Sequence, residues 1–328
     1  MDNWNMIDAT NAQIVEKRFQ EENDPRDRHR YWPSEASIAY TDEHGVRRIL
    51  GKCIRAVAYS ALGVQRTDAI DARGLRIMHM GKIIEACEQQ WAKDAGLWWG
   101  SNVKFRHRVG HMTISGEVDM FIRRPDGTIE GIEFKSGYGY FFESEIFGNT
   151  RKFGYPKPDH LMQVVLYLDH YDQVETFGIV YVNRGDLSRA EHRVSLVQQE
   201  NGDKTIRVIT RAKDKVNDIV DERFTVNSIY QRFMELDNYL NDDTIPPRDY
   251  SIQWDNATIE REWGFKNISK SKYDKWKSRK QPIGDWMCRY CSYVNLCYNE
   301  NTPGDAYPCS DIPHELKPEQ MKIRHANK

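Results

Sequence analysis

Residues 112–135 have the sequence MTISGEVDMFIRRPDGTIEGIEFK, and this stretch decides the fold. Two runs in which apolar and polar residues alternate flank Pro125-Asp126-Gly127, a tripeptide typical of tight turns. The pattern predicts a β-hairpin whose loop contains a left-handed glycine, so that Arg124 pairs with Thr128. Counting outward from this pair fixes which side chains face one another across the two strands.

Two carboxylates and an ammonium group are predicted to share one face of this hairpin. Asp119 falls opposite Glu133, and cross-strand neighbours have Cβ atoms about 4.5–5.5 Å apart. Lys135 lies two residues beyond Glu133 and therefore on the same face. A divalent cation with oxygen ligands would relieve the repulsion between the carboxylates and could generate hydroxide for phosphodiester hydrolysis. The alternative is an ordinary solvated hairpin with a charged outer face.

The rest of the chain alternates between helical and strand periodicity. The helix predicted at 75–92 carries an apolar stripe that we expect to be buried, with His79 beside it. Adjacent hairpins exclude a purely parallel sheet and predict an α/β fold with a mixed central β-sheet flanked by helices. Further helices are predicted at 158–171 and 214–240, further strands at 103–108, 175–182, 193–197 and 205–210, and the last thirty residues as a tail.

Composition and charge limit the class of protein. The chain has 328 residues, with 47 Lys and Arg against 49 Asp and Glu, a net charge of −2 that excludes a general polycation. It has no run of about 20 apolar residues that could span a membrane, and its N-terminus lacks the basic and apolar regions of a signal peptide. These features predict a cytoplasmic protein that does not contact membranes.

The six cysteines are expected to bind metal rather than form disulfides, because the predicted compartment is reducing. Cys288, Cys291 and Cys297 form a C-x₂-C-x₅-C motif, one thiolate short of a closed tetrahedral site. Cys309 and Cys53 are both candidates for the fourth ligand. Thiolates suit zinc and iron–sulfur clusters alike, so the chemistry of the ligands leaves both open.

Four sequence motifs occur in the order typical of one enzyme superfamily. The set resembles the PD-(D/E)xK nucleases, and in particular their RecB-type branch with its His, GxxD, ExK and QxxxY motifs. The matching positions are His79, Gly116-x-x-Asp119, Glu133-x-Lys135 and Gln163-x-x-x-Tyr167.

The resemblance implies a restriction-endonuclease-like core and a site for Mg²⁺ or Mn²⁺. It implies that the metal is held by His79, Asp119, Glu133 and the carbonyl of Phe134. It further implies that Lys135 is catalytic, together with Asp119 and Glu133, and that Gln163 and Tyr167 support the lysine and the DNA backbone.

A second resemblance concerns the cysteines. Cys53-Ile54-Arg55-x-x-x-Tyr59 is similar to the C-P-R-x-x-x-Y motif of the CRISPR-associated RecB-like exonucleases, with Ile54 in place of proline. One cysteine before the core and C-x₂-C-x₅-C after it is the iron-staple arrangement of such nucleases. The resemblance implies a 4Fe–4S cluster in a lobe built from both chain ends. Its ligands would be Cys53, Cys288, Cys291 and Cys297.

These features predict three segments: 1–62 contributing to the iron–sulfur lobe, 63–240 as the nuclease core, and 241–328 as a basic segment with the cysteine motif. Residues 265–280 carry seven Lys or Arg, with Tyr273 and Trp276 between them, and are predicted to bind single-stranded DNA.

The predicted function is a metal-dependent DNA exonuclease acting on single strands or DNA ends, in phage, mobile-element or CRISPR-related DNA metabolism. The chain has no Gly-x-x-x-x-Gly-Lys-Ser/Thr motif, so any motor would come from a helicase or recombination partner. The alternatives are a cluster-stapled DNA-binding subunit without catalysis and an RNA nuclease.

Overall fold

The computed structural model describes residues 5–22, 27–68, 70–149, 152–212 and 215–313. At its centre is the predicted hairpin. The amide of Arg124 donates to the carbonyl of Thr128 at 2.9 Å, and Gly127 adopts a φ of +87°. This confirms the loop that the Pro-Asp-Gly sequence predicts, because a positive φ is accessible to glycine at little cost.

The hairpin belongs to an eight-stranded sheet of order β1-β5-β6-β7-β8-β9-β10, with β4 also paired to β5. Two pairs, β1 with β5 and β6 with β7, are parallel, and the remaining pairs are antiparallel. The predicted mixed sheet is therefore confirmed. The strands are β1 Arg30–Tyr31, β2 Ser37–Thr41, β3 Arg47–Gly51, β4 Trp98–Val109, β5 Met112–Arg123, β6 Ile129–Gly137, β7 Phe177–Asn183, β8 Arg189–Gln198, β9 Lys204–Ala212, β10 Lys215–Thr225, β11 Thr244–Ile245 and β12 Tyr307–Pro308.

The helices cover the sheet and connect its strands. The crossover between the parallel strands β6 and β7 runs through α5, in which every residue from Leu161 to Leu168 is buried. Because this helix is buried on all sides, Gln163 and Tyr167 lie inside the protein rather than on a solvated face. The helices are α1 Met6–Glu22, α2 Ile54–Ala61, α3 Ala72–Asp94, α4 Tyr140–Phe142, α5 Pro158–His170, α6 Val226–Asn241, α7 Asn256–Gly264, α8 Lys270–Lys277, α9 Trp286–Arg289 and α10 Val294–Cys297.

A gap in hydrogen bonding along one edge of β5 makes room for side chains. The opposite edge is paired with β4 along most of its length. On the free edge, β1 pairs only at residues 113–114 and β6 only at 120–123. Residues 115–119 therefore lie between the two partners with no neighbouring strand on that edge.

The predicted helix at 214–240 is wrong over its first half. Residues 213 and 214 lie outside the described part of the chain, Lys215–Thr225 is strand β10, and α6 begins only at Val226. Thr225 caps this helix, since its side chain accepts from the amide of Ser228 at 3.0 Å. The apolar residues of 215–225 are sparse enough to fit either period, and the Thr-x-x-Ser capping pattern marks the true start of the helix.

The predicted buried stripe on α3 is also wrong. Its apolar side chains are largely exposed, at 46% for Met80, 43% for Ile83 and 55% for Trp91, and Cys87 is exposed as well. The helix instead turns Gly81, Glu85 and Gln89, spaced four residues apart, toward the sheet. A polar stripe faces inward because the carboxylates of β5 and β6 lie opposite it.

The last thirty residues are not simply a tail. Cys309–Asp311 forms a helical turn, and β12 pairs with β11, next to the end of α6. Residues 314–328 lie outside the described part of the chain. No helix among the described residues combines the length and the apolar composition needed to cross a membrane.

Candidate active site

Asp119 lies where β5 and β6 separate. The ladder between these strands ends at Met120 and Ile132, and the next residues outward are Asp119 and Glu133, as the hairpin register predicts. Instead of a backbone bond, the amide of Phe134 donates to Asp119 Oδ2 at 2.7 Å. The carboxylate is thereby fixed in the gap on β5, with its second oxygen directed away from this bond.

Glu133 and Lys135 form an ion pair on the adjacent strand. Lys135 Nζ lies 2.5 Å from Glu133 Oε1, and the Glu133 side chain is almost fully buried. Burial lowers the pKa of Lys135, but the charges of Glu133 and Asp119 outweigh it and raise the pKa above its usual value. The lysine is therefore held as a cation next to the carboxylates.

Two side chains of α5 complete a hydrogen-bond chain behind this pair. Gln163 accepts from Lys135 Nζ at 3.1 Å and donates to Glu133 Oε1 at 2.8 Å. Gln163 Nε2 also lies 2.7 Å from the hydroxyl of Tyr167, which donates to the carbonyl of Glu117 at 3.0 Å. Because α5 is buried, Gln163 holds Lys135 in a fixed position and Tyr167 holds the backbone of β5 beside the gap. The structure thus brings together Asp119, Glu133, Lys135, Gln163 and Tyr167.

Burial and mutual repulsion raise the pKa values of the acidic groups of the site. The pKa of Asp119 is raised well above its usual value, first by burial and then by repulsion from Glu133 and Glu85. Burial also raises the pKa of Glu133 and of Glu85. The ligand oxygens of these three residues do not all lie within 4.8 Å of one another.

One buried oxygen of the site has no hydrogen-bond partner in the described structure. Glu133 Oε1 is bonded to Lys135 and Gln163, whereas Glu133 Oε2 is buried and unpaired. An unpaired buried carboxylate oxygen is costly unless it is paired with a cation. Oxygen donors with acidic character are those preferred by Mg²⁺ and Mn²⁺. The residues present therefore fit a divalent cation.

Glu85 is a site residue that the sequence analysis missed. It lies one turn beyond Gly81, at which α3 approaches β6 so closely that a Cβ would lie 3.4 Å from Ser136 Oγ. Gln89, one turn further, donates to Glu85 Oε1 at 3.2 Å and to the carbonyl of Asp119 at 3.0 Å. The sequence does contain a signal for Glu85. The spacing Gly-x-x-x-Glu-x-x-x-Gln puts three small or polar residues on one face of the helix.

His79 occupies a different face of the same helix. It is exposed, and six residues at about 100° each place it about 120° around the helix from Glu85. The charges that act most strongly on Asp119 are those of Glu133, Glu85 and Lys135.

The predicted cysteine motifs lie in a region where both chain ends pack together. Arg55 is fully buried, and its guanidinium donates to the carbonyls of Pro246, Pro303, Gly304 and Asp305 at 2.7–2.8 Å. Tyr59 shares a hydrogen bond of 2.6 Å with the hydroxyl of Tyr307. Arg55 and Tyr59, the two motif residues that follow Cys53, therefore bind the C-terminal segment directly.

The four motif cysteines lie on neighbouring elements but not as a compact set. Burial raises the pKa of Cys53 and of Cys288 to about 12, and the charge of Cys291 acts on both. Arg55 Nη1 lies 3.9 Å from Cys297 Sγ. No three sulfurs of the described cysteines lie within 4.8 Å of one another. Cys309 is a half-buried free cysteine on its helical turn.

The basic stretch at 265–280 is organised differently from its prediction. The ring of Tyr273 stacks on Trp263 with centroids 4.4 Å apart, and Trp276 packs in the same small core around Ile259. These contacts stabilise the local fold and leave Tyr273 and Trp276 partly buried, and the role of the stretch in binding DNA stays a prediction. The lysines of α8 remain exposed, since the helix buries none of its residues.

The fold and the site together define a class of enzyme: a mixed sheet whose separating strands present carboxylates and a lysine for metal-dependent chemistry. The chain belongs to the PD-(D/E)XK nuclease superfamily, whose family model matches residues 7–298. Membership implies a phosphodiester-hydrolysing nuclease, and such nucleases generally use divalent cations such as Mg²⁺ or Mn²⁺.

Two further comparisons add little. A solved structure described as "Crystal structure of SSO0001" is 14% identical to the chain with a TM-score of 0.41, and the match covers 91% of this chain and 98% of that one. A likeness at this level carries no argument about function. No curated protein sequence matches the chain significantly.

Proposed function

We propose that this protein is a metal-dependent deoxyribonuclease that degrades single-stranded DNA or DNA ends as an exonuclease. The observation that carries the proposal is the buried, unpaired Glu133 Oε2 beside Asp119, with Lys135 held as a cation next to it. The resemblance to RecB-like exonucleases supports the choice of DNA ends over an internal recognition site. It also supports a role in phage, mobile-element or CRISPR-related DNA metabolism, alongside a helicase or recombination partner.

The cation would be held by Asp119 and Glu133, with the Phe134 carbonyl as a further ligand implied by the resemblance. When bound, it supplies Lewis acidity and a hydroxide nucleophile at neutral pH. His79 is the remaining ligand that the resemblance proposes. We propose Glu85 in that role instead, and two observations support this choice: Glu85 acts electrostatically on Asp119, and His79 is exposed on another face of α3.

The protein's own groups position the reaction. Lys135, as a cation, can orient a water molecule or stabilise negative charge that develops on the phosphate. The amide oxygen of Gln163 accepts a hydrogen bond from Lys135 Nζ at 3.1 Å and so keeps the ammonium group directed at the site. Tyr167 holds that amide in turn and ties α5 to the backbone of β5.

We also propose a 4Fe–4S cluster on Cys53, Cys288, Cys291 and Cys297. The bonds of Arg55 and Tyr59 to the C-terminal segment support it, because they bring the chain ends together independently of any metal. Tetrahedral zinc places its sulfur ligands about 2.3 Å from the metal and hence about 3.8 Å apart. The described sulfurs are not gathered within 4.8 Å, so the choice of an iron–sulfur cluster over zinc rests on the resemblance.

The substrate is tested with matched DNA and RNA strands of one sequence, linear and circular, incubated with Mg²⁺ or Mn²⁺. The proposal expects shortening of linear single-stranded DNA and no cleavage of circular DNA, because an exonuclease needs an end. Cleavage of circles would show an endonuclease, and faster cleavage of RNA would favour the RNA-nuclease alternative. Binding without cleavage of any substrate would favour the DNA-binding subunit.

The cluster is tested by iron and sulfide analysis of anaerobically purified protein. The proposal expects a brown protein with about four iron and four sulfide per chain. Zinc in place of iron would contradict the cluster while leaving the nuclease proposal intact.

A further inference from the structure

A compact group of metal-ligating side chains lies far from the nuclease carboxylates. His29 precedes β1, His111 lies in the turn between β4 and β5, and Asp237 projects from α6. Among the described residues, these are the one group of three His, Cys, Asp or Glu whose ligand atoms all lie within 4.8 Å. Asp119 lies eight positions along the chain from His111, roughly 27 Å along an extended strand.

Both imidazoles direct a ring nitrogen at the same carboxylate. His29 Nδ1 lies 2.9 Å from Asp237 Oδ1, and His111 Nε2 contacts Asp237 Oδ2. The rings meet edge to face with centroids 5.8 Å apart. Asp237 is only 1% exposed, and its Oδ1 also accepts from the hydroxyl of Tyr31 at 2.7 Å. The result is a fixed set of two nitrogens and a carboxylate, open to solvent on the side of His111.

Asn241 lies beside the same group. Its amide Nδ2 lies 3.0 Å from His111 Nε2 and donates to Asp237 Oδ2 at 3.2 Å. The lone pairs of the two imidazoles and of the carboxylate therefore converge on one small region, where a cation could accept them.

We propose that His29, His111 and Asp237 bind a Zn²⁺-class transition-metal ion. Imidazole ligands suit zinc, copper, iron and nickel, whereas Mg²⁺ and Ca²⁺ prefer oxygen donors alone. Two histidines, one carboxylate and an open position match the ligand number of four-coordinate zinc.

The site would act as a clamp on the fold. His29 and Asp237 are 208 residues apart in sequence, and the turn that carries His111 lies between them. An ion shared by the three segments would hold β1 and α6 against the end of the β4–β5 hairpin and stabilise the folded chain. The inference is independent of the proposed nuclease function, since it uses none of the nuclease residues.

The test measures zinc binding by the full-length chain after removal of loosely bound metal. His111→Ala is the main variant, because His111 is exposed in a turn and its loss leaves the core intact. His44→Ala, in the β2–β3 turn, is the matched control. Since cysteines also take zinc, the quantity compared is the difference between variants: wild type and H44A should each bind one zinc more than H111A.

Two further readouts tie the difference to the site. Zinc should raise the melting temperature of wild type and H44A, while H111A should lose the part of this increase due to the clamp. In ¹⁵N spectra of the histidine rings, the facing nitrogens of His29 and His111 should shift together on zinc addition. Equal zinc content in wild type and H111A, or no shift of either ring, would overturn the proposal. His29→Gln, which keeps a polar side chain, provides a second variant with the same expected loss.

Discussion

The acidic residues around Asp119 determine how the site responds to substitution. Glu85 raises the pKa of Asp119 by repulsion, after burial and Glu133. We predict that Glu85→Gln lowers cleavage about 10–100-fold, the loss typical of a group that supports a metal site, and weakens Mn²⁺ binding measured by calorimetry. His79→Ala should stay within a few-fold of wild type. A larger loss of cleavage in His79→Ala than in Glu85→Gln would favour His79 as the ligand and contradict the proposed role of Glu85.

A second residue-scale prediction concerns His192, which is fully buried. Its Nδ1 lies 2.8 Å from Thr210 Oγ1 and its Nε2 lies 3.0 Å from the carbonyl of Ile146. Burial lowers its pKa to about 4, against about 6.5 in an unfolded chain. The unfolded state therefore binds the proton more readily, and stability present above pH 6.5 is lost as the pH falls toward 4.

His192→Gln removes this titration while keeping a donor and an acceptor. Urea unfolding gives the free energy of unfolding of both proteins at each pH. The difference between wild type and His192→Gln should fall by up to about 3 kcal/mol from pH 7 to pH 4. Parallel curves for the two proteins would show that His192 does not carry this proton linkage.

At this scale the sequence predicts the site residues on the hairpin well and those on the helices less well. Asp119 and Glu133 follow from counting outward from the Arg124–Thr128 pair, because strand period and turn type leave one register. Glu85 does not follow in this way. Whether a polar stripe on α3 faces solvent or a functional site depends on what packs against it, which local sequence does not encode.

At the scale of elements, the start of α6 tests the corrected boundary between strand and helix. Thr225 accepts from the amide of Ser228, and the hydroxyl of Ser228 accepts in return from the amide of Thr225 at 3.2 Å. Thr225→Ala should lower the free energy of unfolding by about 1 kcal/mol. Thr128→Ala, at the exposed Pro-Asp-Gly turn, is the control for loss of a threonine hydroxyl outside a helix cap.

Unfolding by urea gives both free energies, and a loss at Thr225 no greater than that at Thr128 would count against the cap.

The helical expectation for 214–225 fails because its apolar residues are few and the strand is held by pairing with β9. Tertiary pairing overrides a weak local preference here. The strongly periodic segments, α5 and the strands at 112–135, are those that the sequence predicts most closely.

At the scale of the whole molecule, Arg55 joins the two ends of the chain. Its four hydrogen bonds to backbone carbonyls require the fork of a guanidinium, which lysine lacks. Arg55→Lys should lower the free energy of unfolding by about 2–4 kcal/mol, since buried carbonyls lose their donors. The exposed Arg106→Lys should change it by no more than about 0.5 kcal/mol. Equal effects would show that Arg55 does not hold the ends together.

The association of the chain ends follows from the sequence only through a resemblance. Cysteine spacing places Cys288, Cys291 and Cys297 together but leaves Cys53 and Cys309 as alternatives. The structure adds Arg55, Tyr59 and β12, contacts between residues about 190–250 positions apart. Such long-range contacts have no local periodic signal. The domain boundaries at 62 and 240 stay predictions.

The central claim is that Asp119 and its neighbours form the active site of a metal-dependent nuclease. The most direct measurement is digestion of end-labelled single-stranded DNA by wild type, Asp119→Asn and the turn control Asp126→Asn, with Mn²⁺ and again with excess chelator. The account predicts cleavage by wild type and D126N only with metal, and none by D119N although it still binds DNA. Cleavage by D119N at the wild-type rate, or metal-independent cleavage by wild type, would contradict it.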